Sequence, residues 1–113
     1  MDDKNFYRKP MNRITFAFIF KDIAMSLPDF DEESLHMFAR IYYRRRHEGT
    51  DKVPEELGPE GMRRITTNYI RHMCTGYDKA LQTHRIHMSD DQCAKLKKLV
   101  NEKIWARFPF LKG

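Results

Sequence analysis

Cysteine is scarce: the chain carries only Cys74 and Cys93. Such a pair builds no disulfide framework, and no Cys-x-x-Cys knuckle is present to start a zinc finger. Long apolar runs are missing as well. The best candidate, Ile14 to Met25, is interrupted by Lys21 and Asp22 and falls short of the roughly 20 apolar residues that a membrane span needs. The first residues include Asp2, Asp3, Lys4, Arg8 and Lys9, with no apolar core leading to a small-residue cleavage site, so no secretory signal is expected. Internal repeats, low-complexity segments and a Gly-rich phosphate loop are also absent. Together these gaps point to a cytoplasmic protein with two free thiols and no membrane partner.

What is present suits one small folded domain. The 113 residues are too few for two comfortable cores, and an apolar fraction of 41% beside 33% charged residues fits a globule with a solvated surface. Eight Phe, five Tyr and one Trp supply the bulk to fill its centre. The net charge is +5, unevenly spread: residues 1–39 sum to −2 and residues 40–113 to +7. A basic second part favours a polyanionic partner without choosing among nucleic acid, an acidic protein and an anionic surface.

Apolar spacing predicts an all-α fold, a compact bundle of four to five helices over residues 12–113 behind a flexible N-terminus of residues 1–11. The first segment, about Asn12 to Met25, carries Phe16, Ile19, Phe20 and Ile23 at helical spacing. Ile14, Phe16, Phe18 and Phe20 also alternate as in a strand, so a strand stays possible there. Pro28 ends this segment. Asp29 or Asp31 is placed to cap a second helix, with Glu32 and Glu33 on its positive end. Leu35, Phe38, Ala39 and Tyr42 form that helix's inner stripe; His36, Arg40, Tyr43, Arg44 and His47 lie opposite, and Gly49 is a stop. A loop from Gly49 to Gly61 follows, and Pro59 suits the first turn of a third helix. There Met62, Ile65, Tyr69 and Met73 should face inward, with Arg64, Asn68 and Arg71 on another face.

Thr75 with Asp78 three residues on reads as a capping box for a short helix through Gln82, with Tyr77 and Leu81 inward. The final helix is marked most clearly. Ser89 and Gln92 make a capping box, and Asp90 and Asp91 complement the dipole. Cys93, Leu96, Val100 and Ile104 follow the buried face, widened by Leu99. Lys95, Lys97, Lys98 and Lys103 face water, and Pro109 limits the helix.

The string Tyr69-Ile70-Arg71-His72-Met73-Cys74-Thr75-Gly76-Tyr77-Asp78-Lys79-Ala80-Leu81 resembles the Arg-His-x-x-Thr-x-Tyr-Asp-x-Leu-Leu signature of the uncharacterised family called domain of unknown function 2293. Leu27-Pro28-Asp29-Phe30-Asp31 resembles that family's Phe-Pro-Gly-x-Pro turn, and the helix bearing Trp105 resembles its C-terminal helix. Ala80 departs from the pattern, as does Asp51-Lys52-Val53-Pro54-Glu55-Glu56, which replaces a Gly-rich basic turn. The resemblance implies an all-helical fold and no particular activity.

Three constellations bear on chemistry. Arg71, His72, Tyr77 and Asp78 hold the raw material of acid–base work, His beside a carboxylate with an Arg for anions. The structural alternative makes Asp78 a helix cap paired with Arg71, Thr75 its partner in the box and Tyr77 a core residue. With no second carboxylate, Ser nucleophile or phosphate loop, the set is incomplete and no enzymatic activity is expected. His72, Cys74, His84, His87 and Cys93 are potential zinc ligands, but their spacing matches no standard site, and His84 with His87 more simply decorates a polar loop; neither metal nor cofactor is expected. The basic set is the richest. Arg40, Arg44, Arg45 and Arg46 end one helix beside Tyr43, and Arg63, Arg64 and Arg71 follow on the next. Arginine binds phosphate in a bidentate manner, and an interleaved Tyr stacks on an exposed base. A nucleic-acid-binding accessory protein is therefore expected. The alternative is a protein-interaction module, an inhibitor, adaptor or homodimer, using Tyr7, Met11, Met88 and Phe110 as an apolar patch. A solvated face whose arginines pair with Glu55, Glu56 and Glu60 would leave the charge without a partner.

Overall fold

The computed structural model describes residues 11–24, 27, 29–46 and 58–113. Among the described residues the chain forms five α-helices and no strand: α1 Arg13–Ala24, α2 Glu32–Arg46, α3 Gly58–Met73, α4 Tyr77–His84 and α5 Asp90–Arg107. Short 3₁₀ turns follow α4 (Arg85–His87) and α5 (Pro109–Leu111). The expected all-α bundle is therefore the observed one.

Period decides the first segment in favour of helix. Phe16, Ile19 and Ile23 are buried at spacings of three and four, while Ile14 is 71% and Phe18 63% exposed. The Asn12 side chain starts the helix by accepting from the Thr15 amide at 2.8 Å. Residues 1–10 of the expected flexible N-terminus lie outside the described residues. Met11, placed in that flexible stretch by the sequence, is instead tied down: its amide donates to Gln92 Oε1 at 3.1 Å and its carbonyl accepts from Gln92 Nε2 at 2.8 Å.

α3 is the central helix, lying against α2, α4, α5 and the last turn of the chain. Leu35 and Ala39 of α2 are fully buried, and Phe38 and Tyr42 pack on Tyr69 with ring centroids 6.4 and 5.7 Å away. Of the two candidate caps for α2, Asp31 does the work, accepting from the Ser34 amide at 2.7 Å. That bond, with a second one from the Ser34 side chain, lowers the Asp31 pKa. Asp29 instead meets Arg107 at the far end of α5. Gly49 and the rest of the expected loop up to residue 57 lie outside the described residues, and Pro59 sits in the first turn of α3.

Two buried hydroxyls fasten α3 to its neighbours. Thr66 and Thr67 each donate to a carbonyl four residues back, at 2.7 and 2.9 Å. Their oxygens then accept across helix boundaries, Thr66 from His36 Nδ1 at 2.9 Å and Thr67 from Trp105 Nε1 at 3.2 Å. The core itself is built from Phe16, Ile19 and Ile23 of α1, Ile70 of α3, Tyr77 of α4, and Leu96, Val100 and Ile104 of α5. Met73, expected inside, is 59% exposed, and Ile70 takes the inward position. The Ser89–Gln92 capping box forms as read, with Ser89 Oγ accepting from the Gln92 amide at 3.1 Å.

The junction of α3 and α4 differs from expectation. Thr75 does not cap α4: its hydroxyl donates to the Arg71 carbonyl and its oxygen accepts from the Tyr77 amide at 3.2 Å. Gly76 occupies the cap position, and no side chain caps the helix there. A threonine one residue early can seal the end of α3 but cannot reach far enough into α4, so Asp78 is released for another role. α4 also runs two residues past Gln82, which places His84 on a helix and only His87 in the turn beyond.

Candidate nucleic-acid interface

The last turn of α2 and the middle of α3 bring part of the predicted arginine set together. Arg46 and Arg64 line one pocket of about 320 Å³ with Tyr42, Tyr43, Asn68 and His72. Arg46 Nη1 donates to the Tyr42 hydroxyl at 2.9 Å, and its guanidinium carbon lies 5.7 Å from the centroid of that ring. This hydrogen bond, Coulombic attraction to Tyr42 and, more weakly, attraction to Asp78 raise the Arg46 pKa. The charge is thus fixed in place and always present.

Arg64 and Asn68 also belong to a second depression of about 380 Å³, where Arg63 and Lys112 add positive charge and Glu60 adds a negative one. The two hollows share a wall, so Arg46, Arg64, Arg63 and Lys112 follow one another along the surface. Arg44 and Arg45 are exposed in the last turn of α2. Arg40 lies elsewhere: it lines a depression with Asp31, Glu32, Glu33 and His36, in predominantly acidic company.

Arg71 is the principal correction. The sequence placed it with the surface arginines, but it is 3% exposed. Nη1 donates to Asn101 at 2.7 Å and Nη2 to Asn68 at 2.8 Å, and the guanidinium sits 5.6 Å from the centroid of the Tyr77 ring. Burial lowers its pKa, against smaller opposing contributions from Tyr77 and Asp78. A helix of this length turns Arg64 and Arg71 to similar angles, but Arg71 lies two turns further on, where α4 and α5 close over it.

The residues of the central string acquire definite places. His72 Nδ1 is 2.6 Å from Asp78 Oδ1, bridging α3 and α4. An ionised carboxylate only accepts, so Nδ1 carries a ring proton and Nε2 is the nitrogen on the other side of the ring. Arg71 Nη2 approaches Nε2 at 3.5 Å. Tyr77 is in the core, as expected, and its ring meets His72 edge-on at 5.9 Å. The sequence reading that paired Asp78 with Arg71 and made it a cap is replaced by this His–Asp pair. The residues that sequence reasoning missed at the pocket are Tyr42 and Asn68. The first had been assigned wholly to the core stripe; the second was noted beside Arg64 but given no role. The spacing of Arg64, Asn68 and Arg71, three and four apart, was the available signal.

Elsewhere the expected apolar patch is not assembled. Met88 is fully buried, and Met11 and Phe110 pack against the core; Tyr7 lies outside the described residues. Ile14 and Phe18 on α1 and Met37 and Ile41 on α2 are exposed instead. Cys74 and Cys93 are free thiols, and among the described residues no group of three or more His, Cys, Asp or Glu is placed to hold a metal ion. No described helix is long and apolar enough to cross a membrane. Compared with family models, curated proteins and solved structures, the chain matches none.

Proposed function

We propose that this chain is a small basic accessory protein that binds nucleic acid through the surface formed by the end of α2 and the middle of α3. The observation that carries the reading is the convergence of Arg46 and Arg64, from two different helices, on one pocket that also holds Tyr42, Tyr43, Asn68 and His72. Guanidinium groups beside rings and amides are the equipment for gripping phosphates with room for a base. Arg63 and Lys112 extend the track, and Arg44 and Arg45 add exposed charge at the end of α2. Arg71 has no part in contact; it supports the helix that presents Arg64. Because the affinity is electrostatic, it falls steeply as salt rises. Fluorescence anisotropy with labelled oligonucleotides over a salt series tests the reading: binding at low salt that weakens with salt supports it, and no binding at low salt refutes it.

A second reading has its own observation. α1 buries Phe16, Ile19 and Ile23 yet also exposes Ile14 and Phe18, beside an apolar depression of about 500 Å³ lined by Phe16, Ala17, Phe20 and Leu99. A helix apolar on both faces suits a protein partner or a homodimer. Sedimentation of the purified chain separates the two readings, since a nuclease-insensitive dimer that Phe18→Asp dissolves belongs to the second alone.

A further inference from the structure

Trp105 of α5 is a ring that the proposed contact surface leaves unused. The indole is half-buried: part of it packs against the core, and part lines the depression of about 380 Å³ that also holds Arg63, Arg64 and Lys112. Its nitrogen is engaged. Nε1 donates to Thr67 Oγ1 at 3.2 Å, and the Thr67 hydroxyl in turn donates to the Arg63 carbonyl at 2.9 Å. The ring is therefore anchored to α3 by its polar edge, and what it adds to the wall of the depression is apolar π surface.

Two carboxamides of the same wall are oriented by the buried Arg71. Asn101 Oδ1 accepts from Nη1 at 2.7 Å and Asn68 Oδ1 from Nη2 at 2.8 Å. A guanidinium has only donors, so it is the oxygen of each amide that faces Arg71, and the donor Nδ2 is the other arm of the group. The depression thus combines two amide donors with the cations of Arg63, Arg64 and Lys112. Glu60, which is exposed, is the only side-chain carboxylate among the described residues lining it. Donors and cations beside an indole suit a ligand with a phosphate and a flat ring. A duplex keeps its bases stacked behind its backbone and offers such a hollow only phosphates. A single strand can turn a base onto the ring.

We infer that the depression between α3, α5 and the last turn of the chain receives one unstacked base of a single strand, laid on Trp105. Arg63, Arg64 and Lys112, with the amide donors of Asn68 and Asn101, hold the adjoining phosphates. This inference rests on the nucleic-acid reading and specifies its substrate class. Arg64 and Asn68 also line the α2–α3 pocket, so the strand continues across the shared wall toward Arg46. A base stacked on an aromatic side chain strengthens binding about fivefold to a hundredfold, whatever the base, because every base has a π face. The site therefore prefers single strands without reading their sequence.

Trp105 is the single tryptophan of the chain, so its emission reports on the site directly. The test uses the full chain, a labelled single strand of about twelve nucleotides, long enough to exceed one site, its duplex and a free mononucleotide. The single strand should quench the emission along the same isotherm that its anisotropy follows. The duplex should bind about fivefold or more weakly and leave the emission unchanged. Trp105→Leu should weaken single-strand binding on the order of tenfold and leave duplex binding as it was; Trp105→Phe should retain most of the preference. The quenching is read on the unmodified chain, so the test does not depend on how the variants fold. A single strand that binds without changing the emission overturns the inference and leaves the nucleic-acid reading standing, as does equal affinity for both forms that Trp105→Leu leaves equal. A mononucleotide bound as tightly as the strand overturns it too, since the neighbouring phosphates would then contribute nothing. Failure of single strand and duplex alike to bind at low salt removes both readings.

Discussion

Arg71 and Asn101 are joined by a hydrogen bond of 2.7 Å that ties the central helix to the last one. A buried guanidinium is costly unless its donors are occupied; Asn68 takes a second one and the Tyr77 ring lies against the group, while Nε is buried without a hydrogen-bond partner. The residue is therefore a fastening between α3, α4 and α5. Arg71→Met should cost about 2–4 kcal/mol in urea denaturation, the worth of one or two charge-assisted bonds with their acceptors left unpaired. Binding by the folded fraction should persist, whereas Arg64→Ala should leave stability almost unchanged and weaken binding.

Gln92 joins two distant parts of the chain. Its side chain closes the capping box with Ser89 and holds the Met11 backbone through a donor and an acceptor. Ser89→Ala should cost about 1 kcal/mol, the usual worth of a cap. Gln92→Ala should cost more, because it also frees Met11. Hydrogen exchange is the discriminating readout: the Met11 amide should lose protection in Gln92→Ala and keep most of it in Ser89→Ala.

Much of the fold was legible because helix signals are local. The Ser89–Gln92 box, the acidic start of α2 and the three-and-four spacing of Phe16, Ile19 and Ile23 each report on a few neighbouring residues. Asp31 could not be separated from Asp29 as a cap, since the choice depends on where α2 begins. The site was only partly legible. Periodicity placed Arg64, Asn68 and Arg71 on one stripe, but it carries no information on where a neighbouring helix ends its cover. Arg71 falls beneath α4 and α5 and Arg64 does not. Likewise Asp78 looked like a cap because three-residue spacing is what a capping box requires; its pairing with His72 depends on the angle between α3 and α4.

The lowered pKa of Asp31 gives stability a definite pH dependence. A carboxylate whose folded pKa lies below its unfolded value contributes fully above the unfolded value, and the contribution disappears as pH falls through the folded one. The stability advantage of the unmodified chain over Asp31→Ala should therefore be constant at neutral pH. It should shrink below about pH 3.9, the ordinary carboxylate value. Thermal melts of both proteins between neutral and acid pH check this.

Burial raises the Cys74 thiol above its ordinary pKa, with a smaller opposing effect from the Tyr69 hydroxyl bond. Little thiolate is then present at neutral pH, and the thiolate is the reactive form. In a Cys93→Ser background, alkylation of Cys74 should be slow near neutrality and accelerate only at pH values above those that activate a free thiol. Mass spectrometry of timed reactions reads the rates directly.

The meeting of Arg46 and Arg64 at one pocket is what the functional account depends on, and the slope of single-strand affinity against salt measures it. Each lost phosphate contact lowers that slope by about 0.7 for a single strand. In the Arg46→Ala, Arg64→Ala double variant the slope should fall by about 1.4 with the fold intact, since two contacts are removed together. A slope equal to that of the unmodified chain would contradict the account.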